Sequence, residues 1–304
     1  MNKQPSNVCI IGGSGFVSGA TTRLALEAGH RVTIITRGEK PIPDGVTAIK
    51  VDRKDRQALR QAIADADDRY DLVVDCIGYV EEDAIEDIAV FRDRCAHFVF
   101  VSTDFVFDPT QRVFPTPPQH PHYDRQRDYG KHKRLCELQF MDSDTGDMAW
   151  TVVRPCHIYG PGSQLGCLPM HSRDPELIAR LKRGEPIKMV GGGHFLQQPI
   201  FVDDLARTIL SCIGNSKANA QIYMTAGPDI IESHAYYRII AKVLGVDVTI
   251  EEIPVATYLA EHPEHAPFLT HRIYDLTTLR DAGLHVPNIP IAEGLRRHTE
   301  SLLE

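Results

Sequence analysis

The 304-residue sequence has no C-x-x-C pair, no internal repeat and no low-complexity segment. No apolar run approaches the ~18 residues a membrane span needs. Seven cysteines (Cys9, Cys76, Cys95, Cys136, Cys156, Cys167, Cys212) are scattered and odd in number. That argues against a disulfide framework and for reduced thiols, three of which (Cys9, Cys76, Cys156) fall in or beside strand-like runs where a thiol packs as a small apolar group. No N-terminal signal segment is visible, and the expectation is a soluble, cytoplasmic protein with no membrane partner. An excess of basic charge is also missing. Net charge is −8, which repels nucleic acid and acidic membrane in bulk.

What the chain has is alternation. Apolar runs suited to strands lie at Val8–Ile11, Arg31–Thr36, Val46–Val51, Asp71–Cys76, His97–Ser102 and Ala149–Arg154. Helical stretches separate them, among them Lys54–Ala66 and Glu81–Arg94, the latter with Ala84, Ile85, Ile88 and Phe91 on one stripe. Nearly continuous apolar strands between helices predict an α/β fold, a doubly wound parallel (Rossmann) sheet covered on both faces. The second half is mixed. Ile187–Val190, Pro199–Val202, Gln221–Thr225 and Val246–Ile253 read as strands, Asp174-Pro175-Glu176 as a helix start, Asp203-Asp204 and Ser233 as helix caps, and Ile291–Leu303 as the last helix.

The first strand runs into Gly12-Gly13-Ser14-Gly15-Phe16-Val17-Ser18-Gly19, and a helix follows. Strand, glycine turn and helix in that order aim N–H groups and the positive end of the helix dipole at one point, which suits a diphosphate. Gly12 permits the sharp turn, and Gly15 lets the ligand approach the backbone. Ser18 occupies the place of the usual third glycine. The layout is therefore a mainly dinucleotide-binding domain over 1–165, to which 199–215 returns, and a mainly substrate-binding lobe over 166–304, smaller and mixed.

Tyr129 and Lys133 stand four positions apart, sharing one helix face about 6 Å apart along its axis. An ammonium beside a phenol favours the phenolate and lowers a pKa that starts near ~10. Tyr129 then serves as a general acid/base. Taken alone the pair is an ordinary solvated face. Two further stretches change that: Ser102-Thr103-Asp104-Phe105 follows the fifth strand, and Arg154-Pro155-Cys156-His157-Ile158-Tyr159-Gly160-Pro161-Gly162 belongs to the sixth. Both put functional groups at the carboxyl edge of the sheet, where doubly wound folds bind ligands.

These motifs, with Glu137 after the Tyr/Lys pair and Phe201-Val202-Asp203-Asp204-Leu205-Ala206, resemble the extended short-chain dehydrogenase/reductase family of NAD(P)-dependent sugar-nucleotide epimerases, dehydratases and reductases. The resemblance covers nearly the whole chain. It implies that Thr103 positions the reacting oxygen, Tyr129 moves the proton and Lys133 holds the nicotinamide ribose. Gly12, Ser14, Gly15, Phe16 and Val17 would hold the diphosphate, Asp52-Arg53 the adenine, Ile77-Gly78 the ribose side, and Pro155, His157 and Ile158 the nicotinamide. The substrate is expected to be small and polyhydroxylated, touched by Asp104 and Gln197. A homodimer is implied through the tyrosine helix and its neighbour. Cofactor choice follows from the second strand's end, where Thr36-Arg37-Gly38 offers no acid for ribose hydroxyls and Arg37 suits a 2′-phosphate: NADP is favoured and NAD possible.

Thr103-Asp104-Phe105 lacks the second acid of the family's dehydratases and is closer to its 4-keto-sugar reductases. Gln197-Gln198 stands where many relatives carry an arginine on the substrate diphosphate, and a neutral amide loses that charge-assisted bond. The Thr36-Arg37-Gly38 and Asp52-Arg53-Lys54-Asp55 wording also resembles an atypical branch of chloroplast RNA-binding proteins. A non-catalytic member using its cofactor structurally, for RNA or protein binding, is thus the alternative. Against it, Lys131, His132, Lys133 and Arg134 point in different directions on a helix, with no aromatic platform. His120-Pro-His122-Tyr-Asp124 and His262-Pro-Glu-His265 lack the spacing of a known metal site, and surface loops without metal are the expectation.

Overall fold

The computed structural model describes residues 4–169 and 173–303. The first half contains β1 (Asn7–Ile11), α1 (Phe16–Glu27), β2 (Arg31–Thr36), β3 (Val46–Lys50), α2 (Arg56–Ala66) and β4 (Leu72–Asp75). It continues through α3 (Glu81–Phe91), β5 (His97–Val101), α4 (Asp128–Asp142) and β6 (Ala149–Pro155). Then come β7 (Ile158–Tyr159), α5 (Leu177–Lys182), β8 (Ile187–Val190), β9 (Leu196–Gln197), β10 (Ile200–Phe201) and α6 (Val202–Leu210). The rest is β11 (Gln221–Thr225), β12 (Ile231–Glu232), α7 (Ser233–Leu244), β13 (Ile250–Ile253), α8 (Val255–Glu261), α9 (Thr277–Asp281) and α10 (Ile291–Glu300).

Seven strands form one parallel sheet in the order β11-β6-β5-β4-β1-β2-β3. Because strand side chains alternate, each strand feeds two cores. Val8 and Ile10 of β1 face one apolar cluster, and Cys9 and Ile11 the other. This is why the strands read as unbroken apolar runs. The sheet winds outward in both directions from β1 and β4, opening a crevice beyond their carboxyl ends.

A third apolar cluster builds the second lobe from Tyr159, Leu177, Leu181, Ile187, Met189, Phe201, Tyr236, Tyr237, Ile240, Ile291 and Leu295. Three short pairs frame it: β7 with β10, β8 with β13, and antiparallel β9 with β12. The chain returns to the sheet over a wider stretch than 199–215, since Gln221–Thr225 is its seventh strand, paired to β6.

Several local expectations change. α5 begins at Leu177, because Asp174 spends its carboxylate on the Glu176 N–H at 2.9 Å, closing a turn ahead of the helix. Asp203 and Asp204 lie inside the first turn of α6. Asp204 instead accepts the N–H groups of Asn288 (2.9 Å) and Ile289 (2.8 Å), while Asp203 pairs with Arg297 of α10 (3.1 Å) and Arg23 of α1. Ser233 donates outward to the carbonyls of Leu168 (2.7 Å) and Phe195 (3.0 Å) rather than capping α7. All seven cysteines are free thiols. Among the described residues no helix is long and apolar enough to cross a membrane.

Candidate active site

The turn after β1 depends on backbone that only glycine adopts cheaply. Gly12 (φ 107°) and Gly13 (φ 42°) both lie in the left-handed half of conformational space, and a Cβ on Gly13 would sit 2.4 Å from the Cβ of Ile34. Ser18 explains its own departure from the glycine pattern. Its hydroxyl accepts the Gly15 N–H at 2.9 Å, so the buried side chain locks the start of α1.

A cavity of about 520 Å³ opens over the carboxyl ends of the central strands. Of the residues singled out in the sequence, Gly15, Phe16, Val17, Ile77, Thr103, Asp104, Tyr129, Lys133, Pro155, His157 and Ile158 line it. Cys76, Tyr79, Phe105, Leu168, Arg173 and Phe268 also line it and were not foreseen. Arg173 places its guanidinium 5.7 Å from the Phe16 ring centre, bringing a second-lobe charge over the dinucleotide turn. Nothing in its local sequence marked it, because the contact is made only in three dimensions.

Tyr129 and Thr103 meet through their hydroxyls, and Thr103 also accepts the Phe105 N–H at 3.2 Å. Tyr129 is 49% exposed as a residue, but desolvation of its hydroxyl in the cavity raises the phenol to about 12, with Tyr79 adding to the rise while Thr103 and Arg173 oppose it. This corrects the expectation that the neighbouring ammonium lowers it. Lys133 is buried, donates to the Val101 carbonyl at 2.7 Å, and lies 4.7 and 4.9 Å from the ring centres of Phe100 and Tyr79. Desolvation lowers the Lys133 pKa, and the Asp75 carboxylate works against that.

Asp104 lines the cavity, and its Oδ2 is engaged by a buried cluster. It accepts from the Tyr274 hydroxyl and from Arg272, with Arg112 3.5 Å away. Burial alone would raise its pKa, but the two guanidinium groups hold it below the usual carboxylate range.

Seven expected contacts lie off the cavity wall: Gly12, Ser14, Arg37, Asp52, Arg53, Gly78 and Gln197. Gly12 and Ser14 remain in the turn. Arg37 is exposed and held by Glu39 at 2.8 Å. Asp52 accepts the Lys54 N–H at 2.9 Å. Arg53 is corrected outright: it is buried against Asp75 (2.8 Å) and Asp87 (3.0 Å) and donates to the Asp83 carbonyl (3.2 Å), so its guanidinium is not offered to an adenine. Gly78 serves packing, since a Cβ there would meet Asp75 at 2.2 Å. Gln197 is wholly buried behind the wall rather than facing an open substrate site. Gln198 is structural, bonding the Gly227 carbonyl and the Tyr274 N–H at 2.9 Å each.

The basic run at 131–134 makes no common face: Lys133 is buried and Arg134 bonds Glu137 at 2.9 Å. His120 is buried against Phe107, and Asp124 pairs with Arg127. Two groups, His262/Glu264/His265 and His194/Glu232/His234, do bring possible ligand atoms within 4.8 Å of one another.

Comparison with known proteins agrees with this fold. The family described as "NAD dependent epimerase/dehydratase family" matches residues 8–225, which is the sheet from β1 to the end of β11. A chloroplast stem-loop binding protein of 41 kDa from Arabidopsis thaliana is 26% identical over 78% of this chain, and the chain spans 63% of that protein's length. A 2-alkyl-3-oxoalkanoate reductase from Stenotrophomonas maltophilia is 24% identical over 95% of this chain and 97% of its own. Among solved structures, a UDP-glucose 4-epimerase from Thermus thermophilus, in complex with NAD, superposes with a TM-score of 0.73 over 98% of this chain and 99% of its own, at 15% identity, a likeness of fold alone. The chain belongs to the NAD dependent epimerase/dehydratase family, within the extended short-chain dehydrogenases/reductases.

Proposed function

We propose that the chain is an NAD-dependent oxidoreductase or epimerase that moves a hydride between nicotinamide and a carbinol or carbonyl carbon of a polyhydroxylated, sugar-like substrate. The observation that carries this reading is convergence: Thr103, Tyr129 and Lys133 line the same cavity as the dinucleotide turn. The turn fits a dinucleotide by its own geometry. Gly13 has no room for a Cβ, the bond from Gly15 N–H to Ser18 Oγ fixes the start of α1, and Arg173 adds positive charge near Phe16. Gly15, Phe16 and Val17 would hold the diphosphate, Ile77 the ribose side, and Pro155, His157 and Ile158 the nicotinamide. NAD is taken in place of NADP, because Arg37 is engaged by Glu39 and the family is by description NAD dependent.

When bound, the nicotinamide supplies or accepts the hydride. The rest falls to the chain. Thr103 orients the substrate oxygen, and Tyr129 exchanges a proton with it. A phenol pushed up to about 12 is protonated at neutral pH, so Tyr129 stands ready to give a proton, as reduction of a carbonyl requires. Lys133, which lines the same cavity, would hold the nicotinamide ribose. The relative named as a 2-alkyl-3-oxoalkanoate reductase favours the same reductive sense. Ile85 and Met141, exposed at 47% and 45% on the adjoining helices α3 and α4, support a homodimer through that face.

The test has two parts. NAD+ should bind and more tightly than NADP+, and Tyr129→Phe should keep that binding while losing turnover on whichever hydroxy or oxo compound a substrate panel identifies. Full turnover in Tyr129→Phe would remove the tyrosine mechanism. The stem-loop binding relative motivates a second reading, a non-catalytic nucleic-acid binder. Salt-sensitive RNA affinity with no redox turnover across the panel would favour it.

A further inference from the structure

Behind the cavity wall two buried guanidinium groups share one carboxylate. Arg112, Arg272 and Asp104 have side chains no more than 2% exposed, and Asp104 is the acid they both face. The cluster therefore carries one uncompensated positive charge in a place where unpaired charge is costly. Its hydrogen bonding is incomplete in a specific way. Arg272 uses Nη1 on Asp104, while Nε and Nη2 have no partner. Those two donors share one edge of the planar guanidinium, the fork that accepts a carboxylate through two parallel bonds. Gln197 is bridged to Arg272 in β register, is wholly buried, and leaves both amide atoms without a partner.

We propose that Arg272 and Gln197 form a carboxylate-recognition site that takes an acid group of the substrate, an inference that rests on the reading of the adjoining cavity as the place of hydride transfer. The site is next to that cavity. Asp104 belongs to both, and Arg272 packs 4.4 Å from the ring centre of Phe105, itself a cavity-lining residue. That ring lies over the guanidinium in this structure, so entry from the cavity requires Phe105 to turn aside. The ligand class follows from the donors. A monoanion balances the single excess charge, and a planar oxyanion matches the Nε/Nη2 edge. The amide of Gln197 can donate to an acid oxygen and accept from a neighbouring hydroxyl. A hydroxy or oxo acid fits this set, whereas a neutral sugar leaves the charge unanswered.

Formate, the smallest carboxylate, is the probe. It is titrated into the full-length protein with chloride balancing ionic strength, and binding is read from the line width of 13C-formate and from the arginine Nε–H signals. Wild type should bind saturably and shift one Nε–H signal, the signal that disappears in Arg272→Lys. Arg272→Lys keeps the charge but loses the fork, and should weaken formate by at least about tenfold. Gln197→Leu should weaken it several-fold and decides the matter if the lysine variant fails to fold. No saturable binding to wild type, or equal affinity in both variants, overturns the site and leaves the cluster to water. Phe105→Trp separates the substrate's acid group from a permanently resident anion. Slower or weaker uptake supports entry from the cavity, and unchanged uptake overturns the assignment to substrate. NAD+ affinity measured on the same samples reports separately on the dinucleotide reading. Lost NAD+ binding with an intact formate site would sink that reading and spare the site's anion chemistry.

Discussion

Glu137 grips Arg154 with both carboxylate oxygens, taking Nε at 2.8 Å and Nη2 at 2.6 Å while neither side chain is exposed at all. The pair joins α4, the helix of Tyr129 and Lys133, to β6. Ser102 donates to the same carboxylate at 2.6 Å, so the residue before Thr103 is tied to the helix that carries Tyr129. Glu137 is therefore a positioning residue for both hydroxyls of the site.

Glu137→Gln should destabilise the fold by roughly 3–5 kcal/mol, because it leaves the buried Arg154 charge without its counter-ion. Urea unfolding measures this. Arg154→Lys should rescue little of an Arg154→Ala loss, since a lysine cannot repeat the bidentate geometry. Any turnover remaining should fall through kcat more than KM, as expected for displaced reacting groups rather than lost substrate contacts.

Gly130 marks a second constraint on the same helix. A Cβ there would lie 2.0 Å from the Phe105 carbonyl oxygen, so α4 must move away from the turn that follows Thr103. Gly130→Ala should cost about 1–3 kcal/mol despite alanine's better helix propensity. A melting temperature equal to or above that of wild type would show that the helix slides without resistance. Since Tyr129 is the preceding residue, turnover should drop more steeply than stability.

The doubly wound sheet was legible because each central strand is buried on both faces, and six of its seven strands can be read as apolar runs. The seventh, Gln221–Thr225, is a strand in the sequence too, but its sheet is chosen by a parallel pairing with β6 some seventy residues back. Thr103, Tyr129 and Lys133 line one cavity, but spacing alone left the Tyr/Lys pair an ordinary face, and the set was singled out through the family resemblance. Arg53 was misplaced, and the buried setting of Gln197 missed, because sequence gives position and not direction. Arg53 turns inward to the acids of β4 and α3, and Gln197 points behind the wall. Arg173, Arg272 and Tyr274 could not be found at all, because their partners lie far away in sequence.

Acid should destabilise the protein partly through His97. It is 4% exposed, and its Nε2 meets Thr151 Oγ1 at 2.8 Å. Thr151 donates its own proton to the Ala218 carbonyl at 2.6 Å, so the imidazole must be the donor and is held neutral with Nδ1 bare. Burial depresses its pKa to about 4. The unfolded chain therefore takes up a proton near pH ~6.5 that the folded chain refuses until about pH 4. Stability contributed by the neutral imidazole is present above pH ~6.5, falls as pH drops, and levels off below the folded value, a loss of roughly 3 kcal/mol. His97→Gln should flatten this part of the stability–pH curve measured by denaturant titration, whatever it does to stability at neutral pH.

Direction of reaction should show in the pH profile of Tyr129. With its phenol pushed up to about 12 by desolvation of the hydroxyl, the acid form dominates across the working range. Reduction of a carbonyl uses that form, so its kcat should stay level from neutral pH into the mildly alkaline range. Oxidation of the corresponding alcohol needs the phenolate and should rise with pH over the same interval, close to tenfold per unit while the base form is scarce. Tyr129→Phe should cost about 10²–10⁴-fold in both directions and abolish the rise. Arg173 holds the phenol down and Thr103 bonds it, so Arg173→Gln should displace the oxidative limb to higher pH, whereas Thr103→Val should also lower the plateau of the reductive one. Parallel profiles for wild type and Tyr129→Phe would mean that another group carries the proton, and the search would move to His157, a cavity-lining imidazole that burial keeps neutral down to about 4.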